Sequence, residues 1–196
     1  MAPGLVAASR GEHVVLVRHG ATQWSRSGRH TGRTDLPLDD GCRVQARHIA
    51  SRLEGREIVA VYTSPLRRAR ETCSLAGLGE RAVVDADLAE WDYGAFEGLT
   101  TAEIRERRPS WQLFVDGCDA GEQPADVAAR CDRFLDQLSR IEGTVVVFAH
   151  GHVLRVLGAR WIEQPASFGR YLALDTASLS ELATDHEGRV LSRWNS

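Results

Sequence analysis

The chain has 196 residues, 43% hydrophobic and 26% charged, enough to bury one substantial core and too apolar for a disordered polypeptide. No apolar run approaches the roughly 20 residues of a membrane helix, and a formal charge of -3 offers no basic field for nucleic acid or an anionic membrane. All 24 basic side chains are arginine, which removes the lysine that a Walker-type phosphate loop or a Schiff base requires.

Residues 1–12 lack the charged start and long apolar stretch of a secretory leader, so the expected address is cytoplasmic. The four cysteines, Cys42, Cys73, Cys118 and Cys131, have no paired metal-ligand spacing and read as buried free thiols. Residues 13–18 (HVVLVR) form the first apolar, β-branched run and predict a strand covered on both faces. Cys42, Ala46, Ile49, Ala50 and Leu53 then share one helical face, opened by Asp39 and Asp40 and closed near Gly55. Residues 58–62 (IVAVY) give the second strand, after which Ser64 reads as an N-cap ahead of Pro65, with Arg67 able to pair with Glu71 one turn on.

A short strand is expected at 83–85. Residues 86–123, rich in Trp, Gly and acidic groups, read as a long excursion that builds a pocket wall and sets substrate selectivity. From Pro124 a helix places Val127, Cys131, Phe134, Leu135, Leu138 and Ile141 on one face, and residues 144–149 (TVVVFA) form the third central strand. Residues 177–184 and 189–194, around His186, Glu187 and Gly188, predict a closing hairpin. The alternation of strand and helix implies a three-layer α/β/α sandwich with a mostly parallel central sheet, one domain over residues 1–196.

Ligands of such sheets collect at the carboxyl ends of the strands. The first strand runs into Arg18-His19-Gly20, the second into Ser64-Pro65-Leu66-Arg67-Arg68, and the third into His150-Gly151-His152. Two imidazoles, two guanidiniums and helix N-termini on one sheet edge make an anion site, most simply for phosphate. A lone His is more often structural or on the surface, so His13, His30, His48 and His186 are assigned no chemistry. Arg68, lacking a helical partner such as Glu71, is the better pocket candidate of the arginine pair.

The motifs LVRHG at 16–20, TSPLRRARET at 63–72, LAEWDYGAFEG at 88–98, GEQPADVAAR at 121–130 and FAHGHVLR at 148–155 resemble, in order, those of the histidine phosphatase superfamily in its phosphoglycerate-mutase-like branch. The chain looks similar to the small bacterial acid phosphatases of this branch, and residues 25–38 and 117–122 also resemble sedoheptulose bisphosphatase-like enzymes. The resemblance implies that His19 is the nucleophile that becomes phosphohistidine, that Arg18, Arg68 and His150 grip the phosphoryl oxygens, and that Glu90 is the proton donor. No metal and no cofactor is implied, because fixed guanidiniums and an imidazolium can stabilise the charge spread over the equatorial oxygens. His19 must then keep one neutral ring nitrogen for phosphorus, with the other donating to a backbone carbonyl. Glu90 must be protonated, a form that a nearby phosphate dianion favours, and a mildly acidic optimum follows.

Departures from the mutase pattern favour hydrolysis over transfer. Trp91 stands where mutases have Arg, Thr101 where they have Lys, Ser25 where they have Asn, and Arg107-Arg108 do not match their inserted arginine pair. Each charged hydrogen bond left unmade costs about 1 to 3 kcal/mol of carboxylate affinity. Ser25, Thr31, Gly32, Tyr93, Gly151, Trp24 and Trp91 are the expected substrate-binding set, the aromatics lining the mouth or, equally, belonging to the core. The expected partner is a small phosphorylated metabolite such as a sugar phosphate, with no nucleic acid, no membrane, and homodimerisation left open. The alternatives are a cofactor-dependent phosphoglycerate mutase, a non-catalytic phosphate-binding regulator, and a metallohydrolase built on His150, His152 and His19, which lacks any accompanying H-x-H-x-D or H-E-x-x-H run.

Overall fold

Val14 and Leu16 point to one face of the first strand, Val15 and Val17 to the other, and all four are buried. This double burial makes β1 (His13–Arg18) a central strand. The computed structural model describes residues 13–196, with the backbone alone at Arg43 and Ala46. The reading of residues 1–12 as lacking a leader lies outside the described residues.

The remaining elements are α1 (Gln23–Arg26), α2 (Cys42–Leu53), β2 (Ile58–Thr63), α3 (Arg67–Leu75), β3 (Ala82–Val84), α4 (Thr101–Arg107), α5 (Leu113–Asp116), α6 (Pro124–Leu138), β4 (Thr144–Ala149), α7 (Gly151–Trp161), β5 (Leu179–Asp185) and β6 (Gly188–Arg193). The sheet order is β3-β2-β4-β1-β5-β6. The first four strands run parallel and the hairpin β5-β6 joins antiparallel at β1. One apolar layer joins Val14, Leu16, Val145 and Val147 to Phe134 of α6 and Leu154 of α7. The other joins Val15, Val17, Val146 and Phe148 to Ile49 and Leu53 of α2 and Cys73 of α3. This is the three-layer α/β/α arrangement expected from the alternation.

Boundaries differ where side chains have other work. β2 runs to Thr63, which is polar yet buried and in register with Phe148. β3 stops at Val84 because the Asp85 carboxylate accepts from Asp87 N–H and starts a 3₁₀ turn. α2 begins at Cys42 with Gly41 as N-cap, while Asp39 turns its carboxylate to Arg26. Ser64 is not an N-cap: Leu66 holds that position for α3, and Ser64 accepts its N–H at 3.2 Å. β5 starts at Leu179, since Ala177 sits at φ 59° and donates to the carbonyls of Arg18 and His19. Cys42, Cys73, Cys118 and Cys131 are buried free thiols. Among the described residues no helix is long and apolar enough to cross a membrane.

Candidate active site

Because β2, β4 and β1 are neighbours, their carboxyl ends lie side by side. His19 N–H continues the ladder to Ala149 at 3.0 Å and Ser64 N–H to Phe148 at 2.9 Å, so the three segments leave the sheet together. A cavity of about 250 Å³ opens above them, lined among others by Arg18, His19, Ser25, Thr31, Glu90, Tyr93, Gly151, His152 and Arg155. Arg18, Arg29 and Arg155 face a single acid, Glu90, giving the cavity a positive balance.

His19 is held by its Nδ1, which donates to the Gly20 carbonyl at 2.6 Å. That bond fixes the tautomer and leaves Nε2 with its lone pair. Burial, then Arg18 and Arg68, push the His19 imidazole well below its usual range, so the ring is neutral. Arg18 donates through Nη1 to the Leu174 carbonyl and lies across Gly151, where an added Cβ would be 3.2 Å from the guanidinium carbon. Its Nε is buried with no hydrogen-bond partner among the described residues.

Arg68 and His150 stand behind this front, both 0% exposed. Arg68 Nε donates to His150 Nδ1 at 3.1 Å, which leaves His150 Nε2–H to donate to Ser64 Oγ at 2.7 Å. The Arg68 terminal nitrogens donate to the carbonyls of Thr31, Gly32 and Thr34 and so clamp that loop to α3. The His19 and His150 rings meet edge to face at 5.1 Å. His150 is held neutral by burial first, then by Arg68.

Glu90 is nearly buried at 8% exposure. Its Oε1 accepts from the backbone N–H of Trp91 and of Val153, both at 2.9 Å, and its Oε2 from His152 N–H at 3.0 Å. The carboxylate thus supplies the cap that α7 lacks from His150, its own N-cap residue. The segment carrying Glu90 is anchored by Arg130, which binds both oxygens of Glu122 at 2.8 and 3.1 Å and the carbonyls of Asp87 and Ala89 at 2.6 Å.

Of the expected substrate-binding set, Ser25, Thr31, Tyr93 and Gly151 line the cavity. Trp24, Trp91 and Gly32 do not. Trp91 is a core residue, 0% exposed, edge-on to Phe114, with its indole N–H on the Glu122 carbonyl. Trp24 packs over Gly98. The Gly32 N–H is taken by both oxygens of Glu97.

Sequence reasoning missed His30, His152 and Arg155 as wall residues. His30 donates through Nδ1 to the Leu99 carbonyl and stacks on His152 at 5.9 Å. Tyr93 hydroxyl bonds His152 Nδ1 at 2.5 Å; burial holds Tyr93 well above its usual range and His152 well below, so the phenol is the donor. The separation of 59 residues between this pair hides it from any local pattern. The imidazoles of His150 and His152 are committed to different partners, and among the described residues no three of the His, Cys, Asp and Glu side chains group to hold a metal ion.

The family model of the histidine phosphatase superfamily (branch 1) matches residues 14–196. An acid phosphatase of Mycobacterium tuberculosis is 41% identical over 188 residues, 93% of this chain and 92% of that protein. The sedoheptulose 1,7-bisphosphatase of Saccharomyces cerevisiae is 37% identical over 179 residues, 75% of this chain and 66% of the yeast protein. A solved structure of an open reading frame product from Mycobacterium tuberculosis superposes with a TM-score of 0.87 at 39% identity, covering 94% of this chain and 97% of that one. With a match over nearly all of its length, and with the strand-end Arg-His pair and buried Glu that its motifs announced, the chain belongs to the histidine phosphatase superfamily.

Proposed function

We propose that this enzyme hydrolyses the phosphomonoester of a small phosphorylated metabolite, a sugar phosphate being the leading class, through a phosphohistidine on His19 and without a metal. The observation that carries the reading is the 2.6 Å bond from His19 Nδ1 to the Gly20 carbonyl, which turns a neutral Nε2 to a cavity whose Arg18 has a buried, unmatched N–H. Nε2 attacks phosphorus as the P–O ester bond breaks, and Glu90 gives its proton to the departing oxygen. Water then attacks the phosphorus, Glu90 takes back a proton, the N–P bond breaks, and orthophosphate leaves. Arg18 stabilises the equatorial oxygens directly, while Arg68 and His150, which do not line the cavity, support the His19 ring and the loop at 31–34 from behind.

The relatives named acid phosphatase and sedoheptulose bisphosphatase support hydrolysis of small phosphate esters over phosphoglycerate transfer. A cytoplasmic address, favoured by four free thiols, is part of the proposal. A panel of sugar, glycerate, nucleotide and aryl phosphates, assayed in parallel for phosphate release and for transfer to phosphoglycerate, tests it with His19→Ala as control. Release that depends on His19 is expected. Rapid transfer with slow release would make the enzyme a mutase, and binding without turnover a regulator.

A further inference from the structure

A second cavity, also about 250 Å³, adjoins the first and shares His30, Thr101, His152 and Arg155 with it. Its other walls include Arg105 of α4, Gln112, and Arg170 beyond α7. Three guanidiniums therefore meet one small space, and no Asp or Glu lines it. Of the acids near it in the chain, Glu106 is exposed on α4 and does not line the cavity, and two others are engaged elsewhere. Glu103 faces Arg29, and Asp116 accepts from the Gln112 backbone N–H.

The three arginines are held but not neutralised. Arg155 donates through Nε to the Gly169 carbonyl and through Nη2 to that of Arg170, and its guanidinium lies 4.4 Å from the centre of the Phe114 ring. Arg105 donates through Nε to the Trp111 carbonyl, and Arg170 through Nη2 to the Tyr171 hydroxyl. Among the described residues none of the three is in an ion pair, and Arg105 keeps both terminal nitrogens and Arg155 keeps Nη1 without a hydrogen bond. Arg29, Arg33, Arg56, Arg67, Arg108, Arg130, Arg133 and Arg160 pair with a carboxylate, and the exposed Arg47, Arg70, Arg81, Arg107 and Arg140, which have no ion pair among the described residues either, line neither cavity. A cavity with three arginines, no acid in its lining and no ion pair to those arginines among the described residues, beside a phosphate site, is suited to an anion.

We infer that the substrate carries a second anionic group, phosphate or carboxylate, which lies among Arg105, Arg155 and Arg170 while the scissile phosphate lies at His19. This rests on the phosphatase reading above. The stacked imidazoles of His30 and His152, shared by both cavities, form the wall along which the carbon chain between the two anions runs. Selectivity thus comes from α4, the start of α7 and the turn at Arg170, and the cations supply at this place what Trp91 and Thr101 do not supply at the mutase positions.

The test compares kcat/KM for a hexose 1,6-bisphosphate and for 3-phosphoglycerate with that for a hexose 6-phosphate and p-nitrophenyl phosphate. The two-anion substrates, or whichever of them has the fitting anion, should be favoured by about 10-fold or more, since a charge-assisted hydrogen bond is worth that much. In the double variant Arg105→Gln, Arg170→Gln this ratio should fall by on the order of 10-fold or more, mainly through KM, with the far-ultraviolet circular dichroism unchanged. The larger loss, on bisphosphate or on glycerate, names the anion, and either supports the inference. If p-nitrophenyl phosphate is hydrolysed but neither two-anion substrate is favoured, or the ratio survives the double substitution, the second subsite is overturned and the phosphatase reading stands. If no phosphate ester is hydrolysed, the phosphatase reading fails and this inference fails with it.

Discussion

Glu90 and His152 meet twice: the Glu90 Oε2 accepts the backbone N–H of His152 at 3.0 Å and lies 3.9 Å from its Nδ1. One residue thereby caps the helix that follows His150 and faces the cavity that holds His19. The proton donor is fixed by the element that positions the second imidazole, so the two cannot move independently.

Replacing Glu90 by Gln removes the transferable proton but keeps the side-chain size. The kcat/KM for an alkyl phosphate should drop by about 10²- to 10⁴-fold. For p-nitrophenyl phosphate, whose leaving group needs no proton, the drop in kcat/KM should be far smaller. Equal losses for both esters would remove Glu90 from the acid role.

The imidazoles of His19, His150 and His152 are pushed well below 6.5, in each case by burial first. In the unfolded chain they take up protons near 6.5, whereas in the folded chain they stay neutral, so the unfolded state binds more protons as the pH falls through that value. Stability is therefore full above 6.5 and declines below it, by at most about 1.4 kcal/mol per pH unit for each group. Urea midpoints at pH 7 and pH 5.5 measure this, and equal midpoints contradict it.

The same shift keeps the nucleophile competent in acid. kcat/KM should hold as the pH falls below 6.5, giving a mildly acidic optimum. A profile that rises steadily to pH 9 would contradict the assignment of His19 and Glu90 together.

Arg130 and Glu122 form a half-shielded pair whose guanidinium also binds the carbonyls of Asp87 and Ala89, just before Glu90. Arg130→Met leaves the Glu122 carboxylate with only the Asp92 N–H as donor among the described residues and takes the guanidinium from two carbonyls, and should cost about 3 kcal/mol in denaturant unfolding. A loss below about 0.5 kcal/mol would show that this pair does not hold the segment.

Gly94 has φ 50°, and an added Cβ would lie 2.3 Å from the Asp119 carbonyl oxygen. Gly94→Ala should destabilise the fold by on the order of 2 kcal/mol and lower activity through the Tyr93 and Glu90 walls. Unchanged thermal unfolding would contradict that close approach.

Strands β1 and β4 were legible because their faces are buried on both sides, which writes an unbroken apolar run into residues 14–17 and 145–149, whereas β2 carries its apolar run although Val59 is 46% exposed. The strand-end residues Arg18, His19 and His150 were legible for the same reason, since sheet topology alone brings them to one edge. Trp91 was not, because an aromatic beside a catalytic Glu reads equally as mouth or core until its indole N–H is seen on Glu122. Ser64 resembled an N-cap before Pro65, yet its hydroxyl serves His150 across 86 residues. The walls made by His30, His152, Arg105 and Arg170 depend on contacts between distant segments, which no local spacing records.

The proposed reaction turns on a covalent bond from phosphorus to His19. Acid-quench-sensitive, base-stable label from a ³²P-phosphate ester, captured within one turnover and mapped to the peptide containing His19, is the predicted result. Turnover that continues with no such label in the wild-type enzyme, or that survives His19→Ala undiminished, would contradict it.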